Sequence, residues 1–123
     1  MAKRLLDVGN CDADFSAVCQ LVASNFDVTV TRAHRSQDAI EALRSQDYDL
    51  VTVNRLMDRD GSEGLKIIQQ MKSDPALSAT CVMMITNFED HQAMAVDAGA
   101  EPGFGKSQLG TSETIERLRA FLG

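Results

Sequence analysis

Apolar positions along this chain switch between two periods. Leu5 to Val8 is a short apolar run, and Phe15, Val18, Val22 and Phe26 then recur at helical spacing. Asp12 or Asp14 is placed to cap the start of that helix. Val28-Thr29-Val30-Thr31 is a β-branched strand, and Ser36 can open a helix that buries Ala39, Ile40 and Leu43. Leu50 to Val53 is apolar except for Thr52, the pattern of a central strand covered on both faces. Arg59-Asp60-Gly61-Ser62 is turn chemistry, followed by a helix with Leu65, Ile68 and Met71 inward that must stop before Pro75.

Val82 to Ile85 is the most hydrophobic strand. Glu89 to Ala98 reads as a helix closed by Gly99, and Pro102 to Gly105 as a weak strand. Thr111 or Ser112 caps a last helix burying Ile115, Leu118 and Leu122. Five strands and five helices in strict alternation predict an α/β doubly wound parallel sheet with helices on both faces. The whole span 1–123 is expected to be one domain, with no output domain attached.

Composition narrows the function classes. Hydrophobic residues make up 44% of the 123, enough for one core, and no apolar run approaches the ~20 residues that span a bilayer. The start lacks the h-region of a signal peptide, so a cytoplasmic protein with no membrane partner is expected. A net charge of −6 with scattered Lys and Arg argues against nucleic acid. Three cysteines, with no C-x-x-C, suit free thiols in a reduced compartment; Cys11, Cys19 and Cys81 are all expected to be buried and inert. His34 and His91 are isolated and expected at the surface, without the spacing of a metal pair. There is no P-loop signature, and no nucleophile–base pair can be assembled, so an enzyme is not expected.

The chemistry concentrates at three strand ends. The third strand stops at Asn54, the fourth at Thr86, and the segment Gly103-Phe104-Gly105 at Lys106. In an open parallel sheet these ends face one crevice. The crevice then holds an amide, a hydroxyl and an ammonium, with no carboxylate at its centre.

The order of elements, the Tyr48-Asp49-Leu50-Val51 strand, the Ile85-Thr86 strand end, Ala98-Gly99-Ala100 and Lys106 together resemble the receiver domain of bacterial response regulators (CheY-like). The resemblance covers essentially the whole chain and implies a flavodoxin-like sheet in the order 2-1-3-4-5. It also implies two-component phosphorelay signalling, in which an aspartate accepts a phosphoryl group from a histidine kinase and an acidic pair holds Mg²⁺. Thr86 and Lys106 match the phosphoryl-contacting hydroxyl and lysine. The phosphoacceptor position is Asn54, and the acidic pair falls on Gly9-Asn10 or on Asn10-Cys11, with Asp12 the nearby carboxylate able to take part of the role. The switch aromatic falls on Gly103, and the proline four residues after the acceptor on Asp58.

These departures remove the chemistry that the resemblance implies. An acyl phosphate needs a carboxylate nucleophile, and an amide nitrogen is delocalised into its carbonyl. Mg²⁺ wants anionic oxygen ligands, so no cofactor and at most weak Mg²⁺ binding are expected. The leading expectation is therefore a pseudo-receiver that binds a protein partner, a histidine kinase or another signalling protein. Asn54 would either lock the crevice in one state or simply satisfy backbone groups. Two alternatives stand beside it: a working receiver with acids rearranged to Asp12, Asp58 or Asp60, and a small-ligand or redox sensor built on Cys11 and Lys106. Partner, pathway and oligomeric state are not encoded in any motif.

Overall fold

The computed structural model describes residues 2–123. Five strands alternate with five helices: β1 (Lys3–Val8), α1 (Asp12–Asn25), β2 (Val28–Ala33), α2 (Ser36–Ser45), β3 (Leu50–Asn54), α3 (Gly64–Ser73), β4 (Val82–Ile85), α4 (Glu89–Asp97), β5 (Glu101–Phe104) and α5 (Ser112–Leu122). All strand pairs are parallel, and the sheet order is β2-β1-β3-β4-β5, as the alternation and the resemblance led one to expect.

Side chains of a strand point alternately to its two faces, so each central strand feeds two cores. Leu6, Val8, Val51, Val53 and Met84 pack with Ala39, Leu43, Ile67, Ile68, Met71 and Ala95 of α2, α3 and α4. Leu5, Leu50, Met83, Ile85 and Phe104 pack with Val18 and Val22 of α1 and Leu118 and Leu122 of α5. Each of the Val, Leu, Ile, Met and Phe side chains among them contributes about 1.5–3 kcal/mol by leaving water. Two polar residues interrupt the central strands, and they are register partners: Asp7 of β1 lies opposite Thr52 of β3. Both are fully buried, on the same face as Leu5 and Leu50.

The expected helix stripes face the core, and some of their members lie at its edge. Phe15, Phe26, Ile40, Leu65 and Ile115 reach only half-burial, whereas Ile67 and Thr114 are buried. The two phenylalanines flank the core and are covered by cations, with the Arg32 guanidinium 4.5 Å from the Phe15 ring centre and that of Arg119 5.5 Å from Phe26. Cys19 and Cys81 are likewise half-buried rather than enclosed.

Capping differs at two of the three helix starts read from the sequence. Cys11 occupies the N-cap of α1 and Arg35 that of α2, and neither makes a side-chain cap; Asp12 and Ser36 are the first residues of their helices. Asp12, Asp14 and Asp38 instead place negative charge in first turns, where the helix dipole favours it. Thr111 caps α5 as expected, its hydroxyl accepting the Thr114 N–H. Thr111→Ala is expected to cost about 1 kcal/mol, read as a small fall in the thermal midpoint. An unchanged midpoint would show that the cap is dispensable.

The β4–β5 pairing contains an irregularity. Met83 pairs with Glu101, but Ile85 pairs with Phe104, so β5 carries one extra residue. Gly103 sits in that bulge and is buried.

Candidate functional site

Asn54, Thr86 and Lys106 come together as the strand ends required. They line one cavity of about 230 Å³ at the carboxyl end of the sheet, with Arg55, Leu56 and Phe88 on its outer wall. β3 delivers Asn54 and β4 delivers Thr86, whereas Lys106 opens a short 3-10 turn, Lys106–Gln108, after β5.

The Asn54 amide acts as a clamp. Its Nδ2 donates to the carbonyl oxygen of Leu56 at 2.7 Å and, more weakly, to that of Gly9 at 3.3 Å. The amide thus satisfies backbone groups and links the β1–α1 loop to the loop after β3. Thr86 is equally engaged, its hydroxyl accepting the Phe88 N–H at 3.2 Å while its own N–H donates to the Phe104 carbonyl. The next residue, Asn87, accepts from the Ser107 N–H and hydroxyl, fastening the β4–α4 loop to the turn that carries Lys106. Lys106 Nζ lies 2.6 Å from Asp14 Oδ2. That hydrogen bond is the main reason the Asp14 carboxyl is held below its ordinary pKa.

The positions of the acidic pair are filled differently. Gly9 has φ +80°, a conformation that disfavours any side chain. A Cβ there would also lie 2.7 Å from Met57 Sδ. Met57 is buried, so its thioether occupies the volume that a Gly9 side chain would enter. Asn10 is buried beneath the loop, and its Nδ2 donates to both carboxylate oxygens of Asp7 at 2.9 and 3.0 Å. Cys11 is exposed, contrary to expectation, because the N-cap position turns it outward; its thiol donates to Asp14 Oδ2 at 3.3 Å. Cys11 and Lys106 therefore share Asp14.

Asp12 does not join the crevice. It is absent from the cavity lining, and its carboxylate lies 2.8 Å from the Arg32 guanidinium, which lowers its pKa. Asp58 pairs with His34 at 3.0 Å and with Arg59 at 3.6 Å, so His34 is half-buried in a contact rather than free at the surface. Asp60 accepts from the N–H and hydroxyl of Ser62 within its turn. Among the described residues, the Asn54 side chain makes its hydrogen bonds to two backbone carbonyls, and both receive its N–H bonds. Such a donor set does not suit a hard dication that demands anionic oxygens.

Asp7 is the residue that strand patterning passed over. It accepts from Thr52 Oγ1 at 2.6 Å and from Asn10, and burial raises its pKa despite those bonds. The signal was present, as a charged residue inside Leu5–Val8 and a hydroxyl inside Leu50–Val53, but only the pairing of β1 with β3 joins them. Two buried polar atoms near it lack partners among the described residues: Asn10 Oδ1 and Arg32 Nε.

Gly103 lies outside the cavity. A Cβ there would overlap the Met84 carbonyl oxygen. The space beside it is taken by Gln92 of α4, whose Oε1 accepts the Gly103 N–H at 3.0 Å and whose Nε2 donates to Met84 O at 2.8 Å. Arg117 of α5 donates to the Gly103 carbonyl and pairs with Glu113. Nothing in the sequence marked Gln92, which reads as an ordinary polar residue on a helix surface.

The fold has close counterparts among solved structures. The signal receiver domain of a DNA-binding response regulator from Colwellia psychrerythraea superposes with a TM-score of 0.80 at 24% identity, over 96% of each chain. A response regulator from Thermotoga maritima gives 0.80 at 23% identity, over 99% of this chain and 98% of that one. The signal receiver domain of an HD domain-containing protein from Pseudomonas fluorescens gives 0.80 at 19% identity, over 98% and 87%. The chain thus has the flavodoxin-like fold of response-regulator receiver domains. No protein-family model matches the sequence, and no curated protein matches it. Among the described residues no helix is long and apolar enough to cross a membrane.

Proposed function

We propose that this chain is a receiver-type module of two-component signalling that takes no part in aspartyl phosphotransfer and acts by binding a protein partner in the cytoplasm. The observation that carries the reading is the Asn54 clamp. The position where the resemblance requires a nucleophilic carboxylate bearing a metal holds a neutral N–H donor, already spent on the Gly9 and Leu56 carbonyls. Met57 packed on Gly9 supports it, because the volume for a first acidic ligand is occupied. No residue of the crevice is then a catalytic group, and no resident Mg²⁺ is expected.

The rearranged-acid alternative loses its candidates to other partners: Asp12 to Arg32, Asp58 to His34, and Asp60 to Ser62. Nucleic acid is disfavoured as a direct partner by the net charge of −6.

The test is an NMR titration of labelled protein with Mg²⁺ and then beryllofluoride, a phosphoryl mimic. The expected outcome is no saturable shift of the Asn54, Thr86 and Lys106 amides. Saturable shifts at those three residues would overturn the proposal and turn attention to a cognate kinase.

A further inference from the structure

Beside the crevice stands a cation without an anion. The Arg55 guanidinium, half-buried, makes no ion pair or hydrogen bond among the described residues; it lies over the Phe88 ring, 5.1 Å from the centroid. It forms the wall between two recesses. One is the polar cavity that holds Thr86 and Lys106. The other is an apolar dimple of about 70 Å³ between α3 and α4, lined by Leu65, Met84 and Met94. Three large apolar side chains rim this junction in the open: Leu56 at 37% exposure, Met94 at 40% and Phe88 at 54%.

Charge and size select the occupant. The chain carries −6 overall, so an acidic partner is repelled elsewhere and finds unneutralised positive charge here. An unpaired guanidinium stacked on a ring keeps its fork free for a carboxylate, bound bidentately. The dimple holds roughly five water-sized groups at about 10–15 Å³ each, which suits a branched aliphatic side chain and excludes an indole. Glu63 on the dimple's rim repels a second acid there, so the acidic group must lie toward Phe88 and the aliphatic one toward Met94.

We infer that this cleft docks an extended segment of a partner protein in which a carboxylate on Arg55 neighbours a branched aliphatic side chain in the Leu65–Met84–Met94 dimple. The inference rests on the reading of the chain as a protein-interaction module and adds to it a surface and a partner chemistry. Exposed apolar side chains around a half-buried arginine that makes no ion pair among the described residues are the composition of an interface centre rather than of a solvated helix face.

The probe is a capped hexapeptide alternating glutamate and leucine, titrated into labelled protein. Its control is the same peptide with lysine for glutamate. Saturable shifts at Arg55, Leu56, Phe88 and Met94 with the acidic peptide alone are expected. Arg55→Gln and Met94→Ala should each weaken binding at least fivefold with the remaining spectrum unchanged, and Glu116→Gln, on the exposed side of α5, should leave it unaltered. Four results would overturn the inference: no saturation, equal binding of the lysine peptide, equal effects from acetate or inorganic phosphate, or shifts confined to α5 and β5. The last would leave the interaction-module reading intact on another surface. Conversely, beryllofluoride binding together with acidic-peptide binding would overturn the phosphotransfer-silent reading and keep this docking cleft.

Discussion

Gly103→Ala is expected to lower the thermal midpoint of the domain by roughly 10–15 °C, a loss of about 3 kcal/mol. The added Cβ would overlap the Met84 carbonyl oxygen, and a backbone atom inside a sheet cannot swing aside as a flexible side chain can. Strand β5 would have to move off β4. The Gly103 N–H would then leave the Gln92 amide, and its carbonyl would leave Arg117. Gly110→Ala is the control, because a Cβ there meets nothing within 4 Å. Thermal denaturation of the two variants side by side checks the claim, and a Gly103→Ala midpoint within a few degrees of the parent would refute it. The same geometry rules out restoring an aromatic switch residue at this position. Larger side chains share the alanine Cβ, so Gly103→Tyr must be at least as damaging.

Asp7→Asn is expected to raise stability at pH 8 by about 1–2 kcal/mol, or roughly 5 °C, and to flatten its dependence on pH. Burial holds the Asp7 carboxyl above its ordinary pKa, so the native state binds a proton more tightly than the unfolded chain does. The stability contributed by Asp7 is thus fully present below the ordinary carboxylate value, near pH 4, and is lost as pH rises through the raised native value. Asp12, Asp14, Asp60 and Asp74 act in the opposite sense, since hydrogen bonds and cations lower their pKa values. Their stability is present above the ordinary value and is lost as pH falls through the lowered ones. For these five carboxyls together, the expected outcome is greater stability in mild acid than at neutrality.

The hydrogen bonds around residue 7 favour its carboxylate, since the Thr52 hydroxyl and the Asn10 amide both donate to it, and burial outweighs them. Asp7→Ala would instead strand the Thr52 hydroxyl and the Asn10 amide, and should destabilise by about 2 kcal/mol. Denaturant melts at pH 5 and pH 8 separate the cases. A parent protein more stable at pH 8 than at pH 5 would contradict this account.

The fold was legible because local period and global topology agree. Helical spacing at Val18 and Val22 and unbroken runs at Leu50–Val53 and Val82–Ile85 correspond to buried elements, and five alternations leave few ways to wind a parallel sheet. The strand ends gave the crevice residues Asn54, Thr86 and Lys106 for the same reason. What escaped were contacts made across the sequence by side chains with no periodic signature. Gln92 looks like any exposed helix residue, Met57 like any loop residue, and Cys11 like a small hydrophobe. Their roles depend on a bulge, a positive φ and an N-cap, and none of these is encoded in a hydrophobic pattern. Asp7 shows the intermediate case: an anomaly visible in the strand, explained only when register brings Thr52 opposite.

The loops at the carboxyl end of the sheet are held chiefly by amide side chains: Asn54 between two carbonyls, Asn87 to Ser107, and Gln92 between β4 and β5. None of these three amides carries a formal charge. Ionic strength that screens exposed charges over about 8–10 Å would loosen the Lys106–Asp14 pair and leave the amide fastenings untouched. The shape of the crevice is therefore set by bonds indifferent to salt, and only its charged rim responds to the ionic conditions around it.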